Sequence, residues 1–161
     1  MSYDEGTASI ASDGIPVPLP MTALLRAARR TYGGAIRAAL EEDGYDDIPA
    51  NGLYIVGAVA DGGVPLADIV VGLGVTKQAA GQLVDVLVVR GYLDRTVDPA
   101  DRRRLRLALT DRGVAVAAII RAVVDRVDHA VERRVGRDGL ETTRKTLALI
   151  AELGVKGPAG E

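Results

Sequence analysis

The stretch Gly91–Thr110, GYLDRTVDPADRRRLRLALT, decides the fold of this chain. Asp98 and Pro99 form a turn signal, because proline presets φ near about −65° and aspartate bonds its own backbone. After the turn, leucines alternate with arginine or alanine over residues 104–109, the period of two that is typical of a β-strand. The stretch predicts a β-hairpin with a basic tip. Such a hairpin suits a nucleic-acid backbone or a narrow minor groove, although an ordinary surface hairpin with solvated arginines fits the same pattern.

The residues before the hairpin predict two helices joined by a tight turn. Pro65 fits the first turn of a short helix, where its missing N–H has no partner to lose. Gly72 and Gly74 permit a sharp reversal, and Thr76 is placed to cap a second helix. That second helix carries an apolar stripe and a glycine stop: Ala79, Ala80, Leu83, Leu87 and Gly91. Helix, turn, helix and basic hairpin is the order of a winged helix-turn-helix, whose second helix meets base edges in the major groove.

This ordered string, from about Leu66 to Gly113, resembles the MarR family of bacterial transcriptional regulators. The residues that carry the resemblance are TKQA at 76–79, LVD at 83–85 with Leu87, RGYLDR at 90–95, DPADRR at 98–103 and LTDRG at 109–113. The resemblance implies a mainly α fold with a small β-hairpin wing, built as a winged helix-turn-helix with N- and C-terminal dimerisation helices. One departure concerns Val86, Val88 and Val89, which stand where such helices often carry charges. We therefore expect this helix to bury more of its surface.

Double-stranded DNA is the partner that this pattern predicts. The recognition helix offers four residues for base readout: Thr76, Lys77, Gln78 and Gln82. The hairpin offers five further residues: Arg95, Asp101, Arg102, Arg103 and Arg104. We expect Asp101 to orient one of the arginines 102 and 103, and the other to lie near the minor groove. The net charge is −2, but seven arginines against four aspartates between positions 90 and 112 give a local positive excess.

The helices outside the DNA-reading unit predict a homodimer. Apolar residues at helical spacing indicate helices over about 20–43 and about 111–154. Gly33–Gly34 interrupts the first region and predicts a bend or a close backbone approach, and residues 136–139 break the second. Packing against a second copy would bury their stripes, whereas packing within one monomer is the alternative. We expect one domain over 19–154, with the winged helix at about 50–110, between flexible tails over 1–18 and 155–161.

Other functional classes find little support in the sequence. There is no cysteine, the single histidine, His129, has no companion ligands, and no catalytic constellation is present, so we expect neither an enzyme nor a cofactor or metal. The sequence has neither a signal-peptide pattern nor a long apolar run, which predicts a cytoplasmic protein without membrane contact. A winged-helix protein-interaction module without specific DNA binding remains the alternative.

The resemblance further implies regulation by a small aromatic or amphipathic effector, bound in a crevice between the dimer helices and the DNA-reading lobe. The simplest form of this regulation is a repressor that leaves the DNA when the effector binds. Four residues are candidates to line the crevice: Arg26, Arg29, Tyr32 and Tyr54. Arginine grips a carboxylate and tyrosine stacks on an aromatic ring, although interface or surface roles fit these residues as well.

Overall fold

A computed structural model describes residues 19–60, 74–97 and 105–155 of the chain. These residues form four helices and one two-stranded antiparallel sheet: α1 (Met21–Glu42), α2 (Ala50–Ala60), α3 (Lys77–Val89), β1 (Leu93–Val97), β2 (Leu105–Leu109) and α4 (Asp111–Val155). The predicted mainly α fold with a β-hairpin is confirmed. The predicted tails (except Val155, the last residue of α4), the short helix after Pro65 and the hairpin tip over 98–104 lie outside the described residues.

Both ends of α3 are fixed by the local sequence. The Thr76 hydroxyl accepts a hydrogen bond from the Ala79 N–H at 3.2 Å, which confirms the predicted N-cap. At the other end, Gly91 has a φ of 71°, which glycine adopts without steric cost. The chain reverses there, and the Tyr92 N–H bonds back to the Leu87 carbonyl at 2.9 Å. α3 therefore ends where the sequence predicts.

The hairpin follows directly from this reversal. Leu93 pairs with Leu109 and Arg95 with Leu107, so the leucines of the two strands share one face. Leu93 is fully buried and Leu107 and Leu109 are half-buried, whereas Arg106 on the other face is exposed. The alternation predicted for residues 104–109 is confirmed over the described part of the strand, and it anchors the base of the hairpin in the core.

The core joins all four helices to the base of the hairpin. α4 packs against α1 and α2, while α2 also packs against α3 and β2. The chain has no Phe or Trp, and Tyr92 is the largest fully buried side chain among the described residues. The buried apolar cluster comprises Ile36, Leu40, Ile48, Ile55, Val56, Val59, Val84, Leu87, Tyr92, Leu93, Val116 and Val123. The orientation of α3 is thus set by its contacts with α2, the hairpin and this shared core.

The two long helices differ in detail from the expectation. α1 runs through Gly33 and Gly34, and a Cβ added at either would meet nothing within 4 Å, so two backbones do not approach closely there. α4 contains one non-helical residue, Gly136, with φ 76° and ψ 166°. The break is therefore confined to one residue instead of the predicted four, because this conformation is essentially restricted to glycine and suffices to turn the chain.

The break at Gly136 divides α4 into a first arm (residues 111–135) and a second arm (residues 137–155). Arg144 on the second arm forms an ion pair with Asp128 on the first at 2.6 Å, whereas a straight helix would separate the two residues by about 24 Å. The second arm therefore turns back toward the first. None of the helices in the described part of the chain has the length and hydropathy of a bilayer-spanning segment.

Candidate nucleic-acid interface

The N-terminal half of α3 presents polar side chains to solvent. On its inner side, Ala80, Val84 and Leu87 are buried. Gln78 and Gln82 lie about half a turn round the helix from these residues and are exposed. All four residues predicted to read bases lie at the surface: Thr76, Lys77, Gln78 and Gln82. The structure therefore brings them together on one solvent-facing end of a helix whose opposite side is fixed in the core.

The electrostatics of this end of α3 favour an anion. The first N–H groups of a helix have no partners within the helix, and the helix dipole places partial positive charge there. The first turn of α3 contains no acidic residue, and Lys77 adds a full positive charge. Because the Thr76 cap accepts from Ala79, this terminus is well formed as well as positive. These features suit a phosphate beside the reading residues.

Arg95 lies next to the same face of α3. It projects from β1 and forms an ion pair with Asp85, which follows Gln82 by nearly one turn on the outer side of the helix. Both side chains are largely exposed, so the pair adds little to stability. Its consequence is geometric, because the Arg95 guanidinium is held against the outer face of α3. The wing residues predicted to contact DNA, 101–104, lie outside the described residues.

The expectation that the valines of α3 extend its buried surface is wrong for Val89. Val89 is 87% exposed, and Val86 and Val88 are only half-buried. The physical reason is the helical period, which places Val89 on the same side as Gln78 and Gln82. The outer face of α3 is therefore polar and basic near its N-terminus, and acidic and apolar, through Asp85 and Val89, near its C-terminus.

A cluster that sequence reasoning missed lies behind the C-terminal end of α3. The Arg112 guanidinium donates to Asp47 Oδ1 at 2.9 Å and to the Arg90 carbonyl at 3.0 Å. Its carbon lies 4.4 Å from the centroid of the Tyr92 ring and 5.8 Å from that of Tyr45. The Tyr92 hydroxyl also donates to Asp47. We call Asp47, Tyr92 and Arg112 the Arg112 cluster.

The hydrogen bonds of the Arg112 cluster change its titration. The bond from the Tyr92 hydroxyl, assisted by the charge of Arg112, lowers the pKa of Asp47. Burial, followed by the bond to Asp47, raises the pKa of Tyr92 to about 12. The sequence gives only a weak signal for this cluster, namely that a buried tyrosine hydroxyl needs a hydrogen-bond partner. Because the partners are 45 and 65 residues apart, no periodic pattern connects them.

One of the four predicted effector residues has a partner within the chain. The Tyr32 hydroxyl on α1 donates to Asp128 on the first arm of α4, and Arg144 donates to the other carboxylate oxygen at 2.6 Å. Burial, and then the bond to Asp128, raises the pKa of Tyr32 to about 12. Asp128 thus joins α1 to both arms of α4.

The other three predicted effector residues, Arg26, Arg29 and Tyr54, are exposed on α1 and α2. A polar cavity of about 280 Å³ opens between the two arms of α4, and none of the four predicted residues lines it. Polar and charged side chains from both arms line this cavity, among them Asp125, His129, Arg137 and Glu141. Within the described ranges, no three potential ligands among His, Cys, Asp and Glu are arranged to hold a metal ion.

The fold and the solvent-facing helix define a winged helix-turn-helix protein of the kind found in bacterial transcriptional regulators. Residues 46–104 match the sequence model of the MarR family. Comparison with curated protein sequences finds no significant match.

Several solved structures share the fold of this chain. A MarR-family transcriptional regulator from Rhodococcus sp. RHA1 is 24% identical, with 81% of this chain and 93% of that chain covered and a TM-score of 0.62. CouR from Rhodococcus jostii RHA1, bound to p-coumaroyl-CoA, is 24% identical, with 88% and 94% covered and a TM-score of 0.67. NadR in complex with 4-hydroxyphenylacetate is 22% identical, with 83% and 93% covered and a TM-score of 0.68.

Proposed function

We propose that this protein is a sequence-specific DNA-binding transcriptional regulator that acts as a homodimeric repressor and releases DNA on binding a small-molecule effector. The observation that carries the proposal is the exposed N-terminal end of α3, where Thr76, Lys77, Gln78 and Gln82 face solvent opposite the buried side. Glutamine bonds adenine through two hydrogen bonds, and lysine reaches the acceptors of guanine. These residues have the chemistry and the exposure that reading a major groove requires.

Selection of duplexes from a random pool tests the proposal. We expect the protein to enrich one consensus, and Gln82→Ala to relax the preference at one base pair per half-site, since a bidentate contact contributes about 1–3 kcal/mol of discrimination. Binding to random-sequence duplex should be nearly unchanged. Asn51→Ala, which removes an exposed amide from α2, is the matched control. If the wild-type protein enriches no consensus, the proposal fails; if Gln82→Ala returns the wild-type consensus, the assignment of Gln82 fails.

The homodimer is supported by apolar surface at both ends of the described chain. The whole of 141–153 is exposed, although it carries the apolar residues of a helix that needs a partner. The exposed large apolar residues of these two regions are Leu19, Met21, Leu24, Val135, Leu147, Leu149, Ile150 and Leu153. A second copy, packed on the same surfaces about a twofold axis, would cover them.

A twofold dimer makes a prediction about its operator. Two recognition helices related by the axis should enter successive major grooves, so the half-sites should form an inverted repeat with centres about 10 base pairs apart. Inserting five base pairs turns one half-site to the far side of the duplex, and tight binding should disappear. The same five base pairs added outside the inverted repeat are the control for length, and binding should then be unchanged. A monomer mass by light scattering at micromolar concentration would contradict the dimer.

One observation favours a second candidate, a winged helix that docks a protein. Asp85 and Val89 occupy the outer face of α3 near its C-terminus, and neither a carboxylate nor an exposed valine attracts a phosphate backbone. A docking module would show no preference among duplexes in the selection experiment, so the same measurement separates the two functions.

The effector is proposed from the ligands of two structural relatives. CouR holds p-coumaroyl-CoA and NadR holds 4-hydroxyphenylacetate, and both ligands carry a phenolic ring and negative charge. Exposed Arg26, Arg29 and Tyr54, together with half-buried Tyr32, offer this chain the side chains that grip a carboxylate and stack on a ring. Titrating the protein–DNA complex with aromatic carboxylates should release the DNA, and failure of every such compound would remove this class of effector.

A further inference from the structure

We propose that Arg112 is a positioning residue for DNA recognition, which, through Asp47 and Tyr92, fixes the C-terminal end of α3 and so directs its N-terminal half into the groove. The inference rests on the proposed function. It concerns a residue on the far side of the recognition helix, at the point where the end of α3, the start of α4 and the connection between α1 and α2 meet.

The first argument is the set of hydrogen bonds at the end of α3. Residues 90–92, which lead out of α3, have their carbonyl groups bonded by the residues that open α4. Arg112 donates to the Arg90 carbonyl at 3.0 Å, the Thr110 hydroxyl to the Gly91 carbonyl at 2.5 Å, and the Thr110 N–H to the Tyr92 carbonyl at 3.2 Å. The end of α3 is therefore bound directly to the start of α4.

The second argument is the rigidity of the guanidinium itself. Arg112 contacts Asp47 with one terminal nitrogen and Arg90 with the other, while its plane lies over the Tyr92 ring. Because the guanidinium is planar and rigid, it fixes the positions of both acceptors at once, and its contact with the Tyr92 ring restrains the guanidinium further. Asp47 precedes α2 and also accepts from the Tyr92 hydroxyl, so the direction of α3 is tied to two other helices.

The third argument separates positioning from folding. The Arg112 side chain is 41% exposed and lies outside the buried apolar cluster, and exposed ion pairs add little to stability. By contrast, α3 is 13 residues long, or about 20 Å. A pivot of about 10° at its anchored end displaces side chains at the other end by about 3 Å, far beyond the few tenths of an ångström that a hydrogen bond tolerates. Base readout is therefore much more sensitive to Arg112 than the fold is.

The test compares Arg112→Gln with the wild-type full chain on the duplex that the wild type selects from a random pool. We expect about tenfold weaker binding to that duplex, because the reading residues no longer meet the base edges in register. Binding to random-sequence duplex should stay within about twofold, and the salt dependence should be unchanged, since Arg112 contacts no phosphate. Hydrogen–deuterium exchange over residues 77–92 should be faster in the variant without DNA. Arg112→Lys should bind nearly as weakly as Arg112→Gln, because lysine lacks the fork.

Arg126→Gln is the matched control, since it removes the same charge from an exposed position on the first arm of α4. Equally weakened binding in this control would overturn the inference, as would unchanged specific affinity and unchanged exchange in Arg112→Gln. A salt slope lowered by about 0.9 per bound Arg112 would make the residue a phosphate contact instead.

Two further measurements keep the inference separate from folding and from the proposed function. If Arg112→Gln unfolds, Asp47→Ala decides, because it removes the acceptor shared by the Arg112 guanidinium and the Tyr92 hydroxyl while keeping the buried ring; unchanged specific affinity and exchange in that variant would overturn the inference. If the wild type prefers no duplex, the proposed function fails, whereas the exchange comparison still decides whether Arg112 holds α3.

Discussion

Replacing Gly113 by alanine should destabilise the protein, although alanine is the better helix former. Gly113 lies buried in the first turn of α4. A Cβ built there would lie 2.1 Å from the Tyr92 carbonyl oxygen and 3.2 Å from Leu109 Cδ2. A carbon atom cannot approach a backbone oxygen so closely, and the Tyr92 carbonyl is itself held by the Thr110 N–H. The start of α4 and the chain after α3 must therefore move apart by about 1 Å.

The expected magnitude follows from two opposing terms. Alanine is favoured over glycine in a helix interior by about 1 kcal/mol. Overpacking costs about 1–3 kcal/mol, and this contact belongs near the upper end because a backbone atom has to move. The net decrease is about 2 kcal/mol in the free energy of unfolding. For a chain of this length the midpoint of thermal unfolding should fall by about 4–8 °C.

Thermal unfolding at one fixed protein concentration measures this effect. Gly34→Ala is the matched control, because Gly34 is an exposed residue within α1 and an added Cβ meets nothing within 4 Å. The control should be as stable as the wild type or more stable by up to about 1 kcal/mol. A Gly113→Ala protein that unfolds at or above the wild-type temperature would refute the close approach of α4 to the Tyr92 carbonyl.

Two other predictions concern the wing and the Arg112 cluster. Arg102→Ala should weaken DNA binding with little change in consensus, and the slope of log affinity against log salt concentration should fall by about 0.9 for each phosphate that is no longer neutralised. Arg133→Ala on α4 is the control and should leave this slope unchanged. Equal slopes in the wild type and both variants would contradict a contact between Arg102 and the DNA backbone. Because folding lowers the pKa of Asp47, its contribution to stability is present above the unfolded value of about 3.9 and disappears as the pH falls through the lower folded pKa. Urea midpoints of Asp47→Asn should therefore fall less steeply below about pH 4 than those of the wild type, and parallel curves would show that Asp47 contributes nothing to acid unfolding.

Local chemistry made much of α3 and the hairpin predictable from the sequence. The Thr76 cap, the Gly91 reversal and the alternation in β2 each depend on residues within a few positions of one another, and all three are present. The exposure of Gln78 and Gln82 follows from the same helical period that buries Ala80 and Val84. Their contact with DNA stays a prediction, as does that of the wing arginines.

Contacts between distant segments were beyond the reach of the pattern. Arg112 counted among the arginines of a basic surface, but its guanidinium lies behind α3, bound to Asp47. Tyr32 was predicted as an effector residue, and its bond to Asp128, 96 residues away, has no signature in the sequence. Charge composition gives the number of arginines near a surface, whereas the packing of the helices decides which of them bond to distant parts of the chain.

The single-residue break at Gly136 has a consequence for insertions and deletions. Because helix resumes at the next residue, the rotation of the second arm about its own axis is set by the first arm, with no loop to absorb an error. One residue added or removed beside Gly136 would rotate the second arm by about 100°. Arg144 would then turn away from Asp128, and the exposed leucines at 147, 149 and 153 would face a different direction. The spacing between Asp128 and Arg144 should therefore tolerate substitution far better than any change in length.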